Sequence, residues 1–226
     1  MIAHEEQMEL FSLISKNLPR DTECHAFGGT AMMFYGYKDE TKDIDLLFED
    51  EPERREFIKA IEVLGFSEAS PVKIYSPKKL KGKQAPVMYG RGQIRFDLFA
   101  GKIFGTAISP RMKEDKYAVH DFKGRFNLRV NVFRKEHIVL LKAVTERERD
   151  FEDILTIVRG EKWFDWQYFV DEATWQHKHG DSWALLDAEK TVIELKKYVF
   201  IEQKYLEQLY KAYGKSKSKK RLPPNN

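Results

Sequence analysis

Met8, Leu10, Phe11, Leu13, Ile14 and Leu18 recur at helical spacing, so the pattern predicts a helix over residues 5–18, closed by Pro19. A short apolar stretch over 24–27 follows, broken by Gly28 and Gly29, and a helix over 30–37 leaves that turn. The run DIDLLF from Asp43 to Phe48 reads as a strand. Residues 51–65 read as a helix whose early acids suit the positive end of a helix dipole. The middle, 72–132, changes period. Ile94, Phe96 and Leu98 alternate with Arg95, Asp97 and Phe99, and Phe126, Leu128, Val130 and Val132 alternate again after a turn at Lys123 and Gly124.

From residue 135 the helical period returns, with helices expected at 136–145, 147–158, 166–175 and 187–213, the last closed by Gly214. Residues 215–226 (KSKSKKRLPPNN) read as a disordered basic tail. There is no internal repeat. The expected fold class is α/β, of the α+β kind. A mixed sheet flanked by helices occupies 1–132 and a helical domain 133–214, the latter closing one side of a cleft.

Composition narrows the function classes. With 226 residues, 42% apolar and 13% aromatic, the chain can fill a core, which excludes disorder as its main state. A single cysteine, Cys24, excludes an internal disulfide framework and a cysteine-based zinc site. No apolar run approaches the ~20 residues of a membrane span, and the N-terminus lacks a signal-peptide pattern. The expectation is a soluble, cytoplasmic protein with no membrane partner. The net charge of +3 owes more to the tail than to the body, because the last twelve residues hold five basic side chains and no acid. The basic balance is therefore poor evidence for a nucleic-acid-binding fold.

Candidate chemistry gathers in the first half. Gly28, Gly29 and Thr30 lie between a strand and a helix, where paired glycines let backbone approach a phosphate; an ordinary turn is the alternative. On a strand, Asp43 and Asp45 emerge on one face while Ile44 goes into the core. Two such charges repel unless a cation sits between them, and Mg²⁺ is the usual one; a solvent-facing edge strand is the alternative. Asp97 has the same geometry in the strand that follows, so three acids on adjacent strands would hold two divalent ions. Its plainer role is to pair with Arg95 or Lys102 on a polar sheet face. Residues 69–96 add Lys73, Lys78, Lys79, Lys81, Lys83, Arg91 and Arg95, either a polyphosphate- or RNA-attracting stretch or a solvated loop.

Other signals rank lower. Across 136–158, Leu140, Val144, Phe151, Leu155 and Val158 cluster on one side, with Lys142, Glu146, Arg149 and Asp153 opposite and Asp150 at the border. A solvated face and an active-site wall both fit that stripe. His177 and His179 lack a third metal ligand and read as surface residues. Val192, Leu195, Val199, Leu206, Leu209 and Tyr213 space almost as a heptad seam, for packing on the same domain or for a homodimer through the C-terminal helix.

A Gly-Gly-Thr turn opening a helix, a strand with Asp-x-Asp and a third aspartate on a later strand together resemble the polymerase-β-like nucleotidyltransferase superfamily. The run GGTAMMFYGYKDETKDIDLLF, 28–48, is similar to the catalytic core of its stand-alone members: DUF6036-like proteins, abortive-infection type II (AbiEii-like) proteins and minimal nucleotidyltransferases. Thr41 suits their Thr-x-Asp-x-Asp, and Lys142, Arg147, Arg149, Asp150 and Asp153 match an AbiEii-like Lys…Arg-x-Arg-Asp-x-x-Asp arrangement. The resemblance covers about 23–158. It departs at Asp39, where many relatives have arginine, with Lys38 nearby.

The resemblance implies a nucleotidyltransferase-fold sheet with Asp43, Asp45 and Asp97 as catalytic metal ligands for two Mg²⁺, or Mn²⁺. It implies that Gly28, Gly29 and Thr30 bind an NTP, with Lys142 on phosphate and Asp150 a further nucleotide-binding residue. The implied reaction moves an NMP from the NTP to a hydroxyl on a protein, an RNA or a small molecule and releases pyrophosphate, in a setting that includes toxin–antitoxin pairs. Two alternatives stand beside it. One is a non-catalytic nucleotide-binding or toxin/antitoxin partner protein, and the other is a metal-dependent nuclease using the three acids with the basic stretch.

Overall fold

The computed structural model describes the backbone of residues 1–70, 86–145 and 148–219, and their side chains except at 145, 148, 149 and 215–219. The chain divides into two compact units, Met1–Arg134 and Lys135–Asn226.

The first unit is built on a mixed sheet. In chain order its elements begin with β1 (Ile2–Ala3), α1 (His4–Asn17), β2 (Thr22–Ala26), α2 (Gly28–Phe34), β3 (Glu40–Thr41), β4 (Asp43–Phe48), α3 (Glu51–Val63) and β5 (Ser67–Ala69). They continue with β6 (Val87–Arg91), β7 (Ile94–Ala100), β8 (Lys102–Ile103), β9 (Thr106–Ala107), the short helix α4 (Pro110–Glu114), β10 (Lys116–Lys123) and β11 (Asn127–Phe133). The main strand order is β10-β11-β2-β4-β7-β6-β5, and β8 and β9 extend from β7. β11 runs parallel to β2 and β4 parallel to β7, while the other neighbours in that order are antiparallel.

One sheet face makes the core. Ile44, Leu46 and Phe48 of β4, Phe96 and Leu98 of β7 and Leu128 and Val130 of β11 are fully buried against Leu10, Phe11 and Ile14 of α1 and Phe57, Ala60 and Ile61 of α3. Alternation then delivers Asp43, Asp45, Arg95 and Asp97 to the other face. α3 starts where expected because the Asp50 side chain accepts the Glu53 N–H at 2.9 Å, with Pro52 in the first turn. In the stretch read as strand-like, residues 110–114 instead form α4. Its trigger is local: the Ser109 hydroxyl accepts the Met112 N–H at 3.0 Å and Pro110 follows it.

The second unit is helical: α5 (Lys135–Thr145), α6 (Glu148–Gly160), α7 (Trp166–His179), α8 (Ala184–Leu195) and α9 (Gln203–Lys219). Residues 136–158 do not share one helical axis. α5 is buried from Ile138 to Ala143 and packs against α6, an arrangement open to two helices and not to one. The helix expected over 187–213 is likewise two. α8 closes with the N–H groups of Lys196, Tyr198 and Val199 bonded back to Val192 and Leu195 carbonyls. α9 then packs on α8, so Val192, Leu195, Leu206 and Leu209 are buried within this unit. The spaced apolar positions thus pack on their own domain, one of the two roles they allowed, but from two helices and not from one.

Gly214 does not close the helix. Its backbone is not left-handed, and α9 continues through it to Lys219, so 215–219 are helical where disorder was expected; 220–226 lie outside the described residues.

Two glycines test this fold from opposite directions. A Cβ at Gly124 would overlap the Ser15 and Lys16 backbone, whereas one at Gly214 meets nothing within 4 Å. Gly124→Ala is expected to cost about 2 kcal/mol in urea denaturation, and Gly214→Ala to gain about 0.5–1 kcal/mol. A loss at Gly214 would mean that the helix stops there.

Candidate metal centre

The site begins with strand register. β4 and β7 pair in parallel with Asp43 opposite Arg95 and Asp45 opposite Asp97. Three acids and one base therefore form a two-by-two patch. Carboxylate oxygens of Asp43, Asp45 and Asp97 all lie within 4.8 Å of one another. Asp97 is fully buried, while Asp43 and Asp45 are half-buried.

α2 delivers the second part. The turn before it ends in Phe27, whose N–H donates to the Asp45 carbonyl at 3.4 Å. Gly28 has φ +57°, and a Cβ there would overlap the Asp45 carboxylate; a Cβ at Gly29 would overlap the Thr41 hydroxyl. The glycines are thus required by close approach to the acid strand. They lie inside the first turn of α2, which starts at Gly28 and not at Thr30 as expected. The Gly29 N–H donates to Asp45 Oδ2 at 3.3 Å, and the Thr30 hydroxyl accepts the Asp45 N–H at 2.8 Å. Thr30 is fully buried, so its hydroxyl positions Asp45.

Arg95 completes the patch. Its Nε donates to Asp97 Oδ1 at 2.7 Å and an Nη donates to Asp43 Oδ2. The sequence offered Asp97 either a metal or a pair with Arg95 or Lys102; the structure shows the pair with Arg95 and also brings the three acids together. The bridge to Asp43 was not anticipated. It was legible only through the register of β4 on β7, which places side chain 95 beside side chain 43. Arg95 also borders an open cavity of about 550 Å³ with Lys42, Gly90, Gln93 and Ile94. The donor set fits an oxygen-seeking divalent cation, since all three ligand groups are carboxylates and a guanidinium already sits between two of them.

Lys142 and Asp150 are buried in the second unit, where Lys142 Nζ meets Asp153 Oδ2 at 2.6 Å and Asp150 Oδ1 at 3.4 Å. Within that stripe Lys142, Asp150 and Asp153 form an ion-pair cluster, while Glu146 and the Arg149 side chain lie outside the described residues. Arg91 donates to the Leu64 carbonyl at 2.6 Å and lies over the Phe66 ring. Lys73, Lys78, Lys79, Lys81 and Lys83 lie outside the described residues, as does Arg147. His179 and His177 approach the backbone carbonyls of Trp175 and Ser182 through Nδ1, as surface residues at the end of α7. Asp39 is exposed, and its carbonyl accepts the His4 N–H.

Sequence reasoning missed a polar group on β2. Glu23 accepts Asn131 Nδ2 at 2.6 Å and Lys116 Nζ at 3.4 Å. Burial pushes its carboxyl upward, but these partners hold it below the usual value. His25, 1% exposed, stacks on Phe133, and neither ring nitrogen has a hydrogen-bond partner among the described residues. Burial pulls its imidazole down to about 4; Lys116 and Lys113 act in the same direction, against Glu23 and Glu49.

No protein-family model matches the chain, and neither does any curated protein. Among solved structures it is similar to one described as the "Crystal structure of putative nucleotidyltransferase from H. pylori". Identity is 13% over 98% of this chain and 100% of that one, with a TM-score of 0.41.

Two outcomes are expected. Thr30→Val leaves the Asp45 N–H without its acceptor and should cost about 1–2 kcal/mol in chemical denaturation. His25 is neutral in the fold but takes up a proton near pH 6.5 when unfolded, so the unfolded state binds more protons between pH 6.5 and about 4. Stability should fall with pH across that window by roughly 3 kcal/mol from this residue, and His25→Leu should remove that part of the loss.

Proposed function

We propose that the chain is a divalent-metal-dependent nucleotidyltransferase. The observation that carries the reading is the convergence of Asp43, Asp45 and Asp97 in register on two parallel strands, with a Cβ-free turn packed against Asp45. Asp43, Asp45 and Asp97 would hold Mg²⁺, or Mn²⁺, as two ions. When bound, these ions neutralise phosphate charge and lower the pKa of an attacking hydroxyl. In the reaction an acceptor oxygen bonds to the α-phosphorus of an NTP, the α–β phosphoanhydride bond breaks, and pyrophosphate leaves.

The chain's own residues supply position. Gly28 and Gly29 let the first turn of α2 lie directly against Asp45 and Thr41, which brings backbone N–H groups to the edge of the acid cluster, where a phosphate would bind. Thr30 and the Gly29 N–H hold Asp45 at its place beside Asp97. Such catalysis rests on orientation and charge neutralisation. Lys142 and Asp150 enter the proposal through the sequence resemblance alone: to contact phosphate, Lys142 would have to exchange its aspartates for it. The acceptor is a hydroxyl of a protein or an RNA, and a toxin–antitoxin partner is part of the same reading.

The test is incubation with each α-labelled NTP, Mg²⁺ or Mn²⁺, and cell lysate or total RNA. Label transfer with stoichiometric pyrophosphate is expected, reduced at least about a hundredfold by Asp43→Ala. Shortened RNA in place of labelled RNA would instead indicate a nuclease. NTP-induced thermal stabilisation without pyrophosphate would indicate a binding protein.

A further inference from the structure

The guanidinium of Arg95 occupies the place where a cation belongs. Its Nε and Nη2 reach two of the three carboxylates of the patch, the same Nη2 donating to Asp43 and, at 3.3 Å, to Asp97 Oδ2. Three carboxylates and one guanidinium leave a formal charge of −2, held beside the fully buried Asp97. A divalent ion coordinating Asp43 and Asp97 needs the lone pairs that Arg95 now uses. Oxygen atoms that accept charge-assisted hydrogen bonds are poor ligands until those bonds break. The side chain has somewhere to go, because it borders the open cavity shared with Lys42 and Gln93.

We infer that Arg95 is a resident counter-ion that holds the acid cluster together in the metal-free protein and is displaced from Asp43 and Asp97 when a divalent cation binds. The inference rests on the metal-centre reading above and adds a competition to it. Arg95 is a positioning residue. Without metal it stops the acids from repelling one another, and its displacement sets the threshold metal concentration for assembling the site. Removing its charge has two effects of opposite sign: the metal-free fold weakens, and the metal binds more tightly.

The experiment uses the full chain without nucleotide. Mn²⁺ affinity is measured by electron paramagnetic resonance for the wild type, Arg95→Gln and Arg95→Lys, with circular dichroism confirming that each folds. Arg95→Gln should bind Mn²⁺ about tenfold more tightly and melt lower without metal, and Arg95→Lys should lie between it and wild type. In parallel, the Arg95 Nε–H resonance of ¹⁵N-labelled wild type, assigned by its loss in Arg95→Gln, should shift on titration with Mg²⁺. An unchanged or weaker Mn²⁺ affinity in both variants, or a resonance unmoved at saturating Mg²⁺, overturns the inference and leaves the metal centre intact. If no variant binds Mn²⁺ and the wild type does not either, the metal centre falls and the inference with it.

Discussion

The parallel pairing of β4 with β7 is the constraint on which the site depends. Shifting one strand by a single residue would send its acids to the core face and Ile44 or Phe96 to the polar one. The register is held by the buried face. Ile44, Leu46, Phe48, Phe96 and Leu98 are fully buried, and such side chains contribute about 1.5–3 kcal/mol each. Two carboxylates at the spacing of this cluster repel by on the order of 3 kcal/mol at an effective dielectric of about 20. The apolar face therefore outweighs the repulsion, and Arg95 removes much of what is left.

Helix α2 braces that patch from one side. Its glycines allow backbone to lie against Asp45 and Thr41, and its Thr30 hydroxyl and Gly29 N–H tie the strand to the helix. The same contacts anchor the first turn of this seven-residue helix, whose Gly29 N–H and Thr30 hydroxyl are both engaged with the acid strand. In the second unit Lys142 shows the same physics, since a buried ammonium finds two aspartates.

Much of this was legible along the chain. The alternation of β4 and β7, the helix starting after Asp50, the change to helices near residue 135 and the acids at 43, 45 and 97 all follow from local periodicity and capping chemistry. The heptad-like run from Val192 to Tyr213 misled, because its spacing describes two helices folded onto each other as well as one continuous helix. The stripe containing Lys142 was ambiguous for a related reason: charge at helical spacing does not say whether a partner waits on a neighbouring helix.

Sequence alone determined which side chains share a strand face, because that is a two-residue period written into the backbone. It also determined that glycine had to stand before Thr30 if anything was to approach closely. Tertiary structure decided which strands became neighbours, and hence that Asp97 lies beside Asp45 while Arg95 lies beside Asp43. Those positions are separated by more than fifty residues, and their pairing reflects the burial of a whole sheet face. No local pattern encodes that quantity, so the guanidinium among the acids emerged only with the fold.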